Sequence, residues 1–171
     1  MQKIISLIFS VCLIVLSSHA QSHSSMNESR KITLDLVLKV QSGEDHPPYV
    51  AAWLEDEASK SVRTLILWRK EPKWLKDIRR WWRKEGKFDA ELVDAVTSAT
   101  HAAGRFPLSF SAVDNQQKPL KAGKYTLFVE VVREKGGRAI IRQPFELNEN
   151  SLEYTLAATQ ETDTMRFSIS Q

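Results

Sequence analysis

Few side chains in this 171-residue chain are spaced for chemistry. Past the first 20 residues the histidines are His23, His46 and His101, with no short ligand spacing and no cysteine to join them, so no metal site is expected. The acidic pair Glu55 and Asp56 falls between two strand-like runs, where surface charge in a turn is the default reading. "AGKY" and "KGGR" have the form of hairpin turns, not of phosphate loops. Nothing resembles a nucleophile elbow, so no constellation speaks for a hydrolase. What remains is "VDAVTSATHAAG", Val93 to Gly104, where hydroxyls and small residues crowd between an acid and a glycine. Locally it reads as a fraying helix end: Thr97, Ser98 and Thr100 can bond back to the backbone, and Gly104 allows the exit. The other reading is a hydroxyl offered to an enzyme or a cofactor.

A second candidate is "KWLKDIRRWWRKEGK". Trp74, Leu75, Ile78, Trp81 and Trp82 recur at helical spacing, with Lys73, Lys76, Arg79, Arg80, Arg83 and Lys84 mostly on the other faces. Such a stripe is ordinarily core packing beneath a solvated charged face. Two functional readings stand beside it: docking on an anionic membrane surface, and a platform where Trp stacks on a ring and Arg forks a phosphate.

These groups need a frame to position them, and the frame reads as β. Ile32, Leu34, Leu36, Leu38 and Val40 alternate with mainly polar neighbours, the period of a strand with one buried face. "YVAAWLED", "SVRTLILW", "RFPLSFSAV", "KYTLFVEVVRE", "RAIIRQPFEL", "SLEYTLAA" and "TMRFSIS" add further short strands separated by turn-rich stretches. Pro72 suits the first turn of a helix, Gly86 its end, and Asp89 the cap of a second short helix over "FDAELVDAV". The expectation is a mainly β chain: an antiparallel, immunoglobulin-like sandwich over 31–171, with a basic amphipathic helical insertion at about 72–98.

The N-terminal segment sets the compartment. Lys3, the apolar run Ile4–Leu16 and the small-residue ending "SHA" form a secretory signal peptide over residues 1–20, cleaved after Ala20. The run falls short of the roughly 20 apolar residues a transmembrane helix needs. Cleavage removes Cys12, the one cysteine, so the secreted chain relies on a packed core rather than disulfides. Residues 21–30 are polar and aperiodic, a flexible start. Net charge is +3, and it is unevenly placed: Arg69–Lys87 holds nine basic residues against three acidic ones. That is one basic element on a mildly acidic body, and with an extracytoplasmic address it argues against nucleic acid as a partner.

"DAVTSAT", Asp94–Thr100, resembles the acceptor motif of ApbE-type flavin transferases, in which an Asp is followed after two residues by Ser or Thr, then Gly or Ser, then Ala-Thr. Ser98 stands where Gly is commoner. The resemblance implies FMN, taken from FAD, linked by its phosphate to the Thr100 hydroxyl, with Asp94, Thr97, Ser98 and Ala99 as recognition residues. Such motifs occur in FMN-binding domains of the sodium-pumping NADH:quinone reductase, of Rnf-type complexes and of extracytoplasmic flavoprotein reductases. The surrounding scaffold is different from those domains. With "PYVAAWLED", "RTLILW", "KWLKDIRRWW" and "AGKYTLFVEVVREKGG", the chain resembles a family of predicted periplasmic proteins of unknown function. That family accompanies flavin transferases and membrane proteins with PepSY-type domains, which implies a place in extracytoplasmic electron transfer.

The resulting expectations are specific. The chain is a periplasmic electron carrier with covalent FMN on Thr100, rather than an enzyme, served by a flavin transferase and a PepSY-type membrane redox protein. Arg105 is expected to offset phosphate charge, and Trp81 or Trp82 to stack on the flavin ring. The alternative is a non-enzymatic immunoglobulin-like binding module that docks on a membrane redox or transport partner through the basic helix, with contact to the membrane surface.

Overall fold

A computed structural model describes residues 30–41, 46–134 and 136–171. The expected signal peptide and residues 21–29 of the polar start lie outside the described residues. Strands β1 (Lys31–Leu38), β2 (Tyr49–Asp56) and β3 (Ser61–Trp68) come first. A helical stretch then runs to α2 (Ala90–Val96), followed by β4 (Thr97–Ser98), β5 (Gly104–Ser111), β6 (Gly123–Val132), β7 (Arg138–Leu147), β8 (Leu152–Leu156) and β9 (Met165–Ser170). The strands form two sheets, ordered β5-β1-β9-β8 and β4-β3-β2-β6-β7. The run β3-β2-β6-β7 with β1 and β5 opposite reproduces the Greek-key crossing of immunoglobulin-like sandwiches.

Alternation explains the first core. Ile32, Leu34, Leu36 and Leu38 of β1 meet Val50, Ala52 and Leu54 of β2 and Leu127, Val129 and Val131 of β6 between the sheets. The outer face of β1 carries half-buried Thr33 and Asp35, as one-sided burial predicts. β2 departs from that rule, because every residue from Tyr49 to Glu55 is buried. Its sheet is covered on both sides. Ala51, Trp53 and Phe128 face away from the sandwich and pack under Leu75, Ile78, Trp81 and Val93 of the helical stretch, forming a second core. A side chain of this size gains about 1.5–3 kcal/mol on full burial, so the cap is held mainly by its apolar stripe.

The cap is not one helix. A 3-10 helix (Pro72–Asp77) gives way to a single α turn, α1 (Arg79–Trp81), and then to a π turn (Trp82–Gly86) before α2. Ile78 interrupts the first helix at φ −75°, ψ 71°. The N–H groups of Arg80 and Trp81 then donate to the Glu130 carboxylate, at 3.0 and 3.2 Å to Oε2. A sheet side chain thus serves the orphan donors that begin every helix. Beside it the Arg80 guanidinium donates to both oxygens of Glu55 and lies 4.0 Å over the Phe128 ring. Glu55 is therefore no surface residue of a turn, as its neighbourhood in sequence suggests. It is buried under the cap and also accepts from Trp53 Nε1 at 2.9 Å.

Candidate functional site

The strip from Asp89 to Phe106 is positioned link by link. Asp89 Oδ1 accepts from Leu92 N at 2.8 Å and starts α2, whose Val93 drops into the second core. α2 ends at Thr97, whose hydroxyl donates back to the Val93 carbonyl at 2.5 Å while the backbone turns extended. Thr97 and Ser98 then run parallel to Leu67 and Trp68 at the edge of the sheet. Arg69 fastens the strip: its N–H donates to the Ser98 carbonyl at 2.9 Å and its Nε to the Thr97 hydroxyl at 3.2 Å. Its guanidinium also lies 3.7 Å from Asp94, a contact of small energetic weight because the Asp94 side chain is 81 % exposed.

Beyond Ser98 the chain leaves the sheet. Ala99, His101 and Ala102 are exposed and Thr100 is half-buried. Residues 99–103 pass from the β4 edge of one sheet to the β5 edge of the other. His101 fixes the crossing, its ring resting 4.4 Å from Trp68 and 5.1 Å from Phe106 by centroids. The motif residues Asp94, Thr97, Ser98, Ala99 and Thr100 thus form one edge strip, clamped in its first half and open in its second. The sequence reading passed over Arg69 and the Trp68–Phe106 platform. Arg69 is visible only as a charge directly after an apolar strand, and its partner strip lies far along the chain.

Two expected helpers are engaged elsewhere. Trp81 is fully buried, and its Nε1 donates to the Thr64 hydroxyl at 3.1 Å. Its ring offers no face to a flavin, because the cap needs it as a core residue. Arg105 sits on the outer face of the other sheet, where its Nε and Nη2 both engage the Asp35 carboxylate. That bond, with the Arg105 charge, holds Asp35 below the usual aspartate range against the opposing effect of burial. Trp82 is half-buried and covers Gly86. Among the described residues, none of the three makes a hydrogen bond or ring contact with residues 97–104. At the other end of the strip Thr100 is half-buried, flanked by exposed Ala99, His101 and Ala102. The ring end has no seat at Trp81 or Arg105.

No curated protein and no solved structure matches the chain. The family model described as "Predicted periplasmic protein (DUF2271)" matches residues 30–164. The chain is a periplasmic protein and belongs to that family.

Proposed function

We propose that this protein is a periplasmic electron carrier with FMN attached as a phosphoester to Thr100. The observation that carries the reading is the posture of Asp94–Thr100. Arg69 holds Thr97 and Ser98 and lies near Asp94, while exposed Ala99 and half-buried Thr100 run off the sheet edge. Small neighbours, Ser98, Ala99, Ala102 and Ala103, leave room around the hydroxyl for a flavin transferase. In the transfer, the Thr100 oxygen replaces AMP on the FMN phosphorus of FAD. A covalent tether keeps the flavin from diffusing away in a compartment with no cytoplasmic flavin pool. Attached FMN supplies one- and two-electron chemistry through its ring. The chain supplies attachment and a rigid base, and the redox partner is a membrane protein of the PepSY type.

The test is coexpression with a flavin transferase, followed by denaturation and mass measurement. An FMN-sized addition is expected on the wild type and is expected to vanish in Thr100→Ala. Its absence from the wild type, or its persistence in Thr100→Ala, would sink the assignment.

A second reading, docking through the cap, is favoured by one surface. Lys76, Arg79, Arg83 and Lys87 of the cap are exposed, and Phe88 is 73 % exposed with Lys87 Nζ 4.5 Å over its ring. An exposed aromatic beside a lysine, on an element rich in exposed cations, suits an anionic membrane surface. Arg80 does not belong to this face, because Glu55 holds it, and its charge reversal would break the cap instead of testing docking. Arg79→Glu with Arg83→Glu is the appropriate variant. Cosedimentation with phosphatidylglycerol vesicles is expected for the wild type and not for the double variant, and equal sedimentation of both would count against this reading.

A further inference from the structure

A cleft of about 580 Å³ lies on the flank of the cap, lined by α2 residues Leu92 and Ala95 but not by Thr97–Thr100. The start of β3 forms its floor, α2 and the π turn one wall, and the loop after β5 the other. Four carboxylates line it, Glu85, Asp89, Glu91 and Asp114, against the single ammonium of Lys60. Asp89 and Asp114 each spend one oxygen on backbone N–H groups, which holds them in place.

The floor carries an independent sign of a missing partner. Ser61 is 7 % exposed, and its hydroxyl has the Glu85 carboxylate beside it but not in the geometry of a full hydrogen bond. Buried polar atoms are nearly always fully satisfied, so an under-satisfied hydroxyl at the base of a cleft points to a place where something binds. Glu85 stands beside it. Burial foremost pushes the Glu85 carboxyl up, the Ser61 hydroxyl pulls it down, Asp89 and Glu55 raise it, and Lys60 lowers it. An added cation would relieve this crowding.

The cation is not a bare metal ion. Metals need several oxygen ligands converging on one point, and no three acidic or imidazole groups among the described residues are close enough to hold one. The carboxylates share the lining with the apolar side chains of Leu92 and Ala95 of α2. We infer that the cleft binds an alkylammonium group on an aliphatic stem, with Glu85, Asp114 and Ser61 taking the ammonium protons and Leu92 the methylenes. An ammonium carries three donors, enough for two carboxylates and a hydroxyl. A free linear polyamine and the lysine side chain of another protein share this chemistry.

Calorimetric titration of the purified protein with spermidine and with a tri-lysine peptide separates the two sources. Spermidine is expected to bind, and 1,8-octanediol, of comparable stem but uncharged, is not. Glu85→Gln with Asp114→Asn is expected to weaken binding about tenfold or more, since hydrogen bonds to charged groups are lost. Ser61→Ala is expected to weaken it severalfold, and unchanged circular dichroism melts would show that the variants fold. Binding of tri-lysine without spermidine, with the same sensitivity to the variants, keeps the site and assigns it to a partner's lysine. The inference is overturned if neither probe binds, if the double variant binds as well as the wild type, or if magnesium at equal concentration displaces spermidine.

Discussion

Glu130 shows how much one side chain can organise. It is fully buried and accepts from the backbone of Arg80 and Trp81 and from Arg138 Nε at 2.8 Å. Removing it strands two helix-starting donors beneath the cap, so Glu130→Ala is expected to lose about 3 kcal/mol of stability, measured by urea denaturation. Asp35 acts at the surface and through pH. Its folded pKa lies below the ordinary value of 3.8, so its contribution is present above that value and is lost as pH falls through the lower folded one. The urea midpoint of Asp35→Asn should therefore change less than that of the wild type below pH 3.8, and an equal change would remove the pair from the stability account. Neither role is written in local sequence. Glu130 sits in "FVEVV", where alternation marks it only as facing away from Val129 and Val131. What it faces is decided by residues fifty positions earlier.

At the level of elements, strands were legible and the cap was only partly so. β1 was readable from its alternation, since one face is buried and the other is not. The amphipathic stripe of Trp74, Leu75, Ile78, Trp81 and Trp82 marked a helical segment, and Asp89 marked a new start. The break at Ile78 was hidden, because its cause is a carboxylate on another strand. Gly86 was readable as an end, yet its main service is space. A Cβ there would stand 2.5 Å from Trp82 Cε3 and 2.7 Å from Trp81 Cζ3. Gly86→Ala is therefore expected to cost about 1–3 kcal/mol by crowding the rings, seen as a lower melting temperature. An unchanged melt would mean that Trp82 swings aside freely. The Asp94–Thr100 strip was legible as a motif but not as a place: its hold on the sheet runs through Arg69, which no periodicity points to.

The whole molecule is three layers with one sheet shared by two cores. Trp53 stacks on Phe128 at 5.1 Å on the cap side, while Ala52 and Val129, their neighbours along the chain, serve the sandwich side. A cap so joined should not melt alone. Ile78→Ala is expected to lose about 2–5 kcal/mol. Its tryptophan-fluorescence and far-ultraviolet dichroism transitions are expected to stay coincident. Separate midpoints would show the cap detaching first.

β3 has a further consequence for the fate of the chain. One side of this strand pairs with β2, and the other is covered only in patches. Asn115 bonds Val62 and Thr64 at one end, and Thr97 and Ser98 cover Leu67 and Trp68 at the other. An uncovered apolar strand recruits other chains, and Pro144 on β7 and Pro107 on β5 interrupt two of the outer strands against that hazard. The patch over Leu67 and Trp68 is Thr97–Ser98, part of the proposed acceptor strip. Displacing Thr97 and Ser98 would bare a sticky edge, so self-association is held off there only while the first half of the strip stays seated against Arg69.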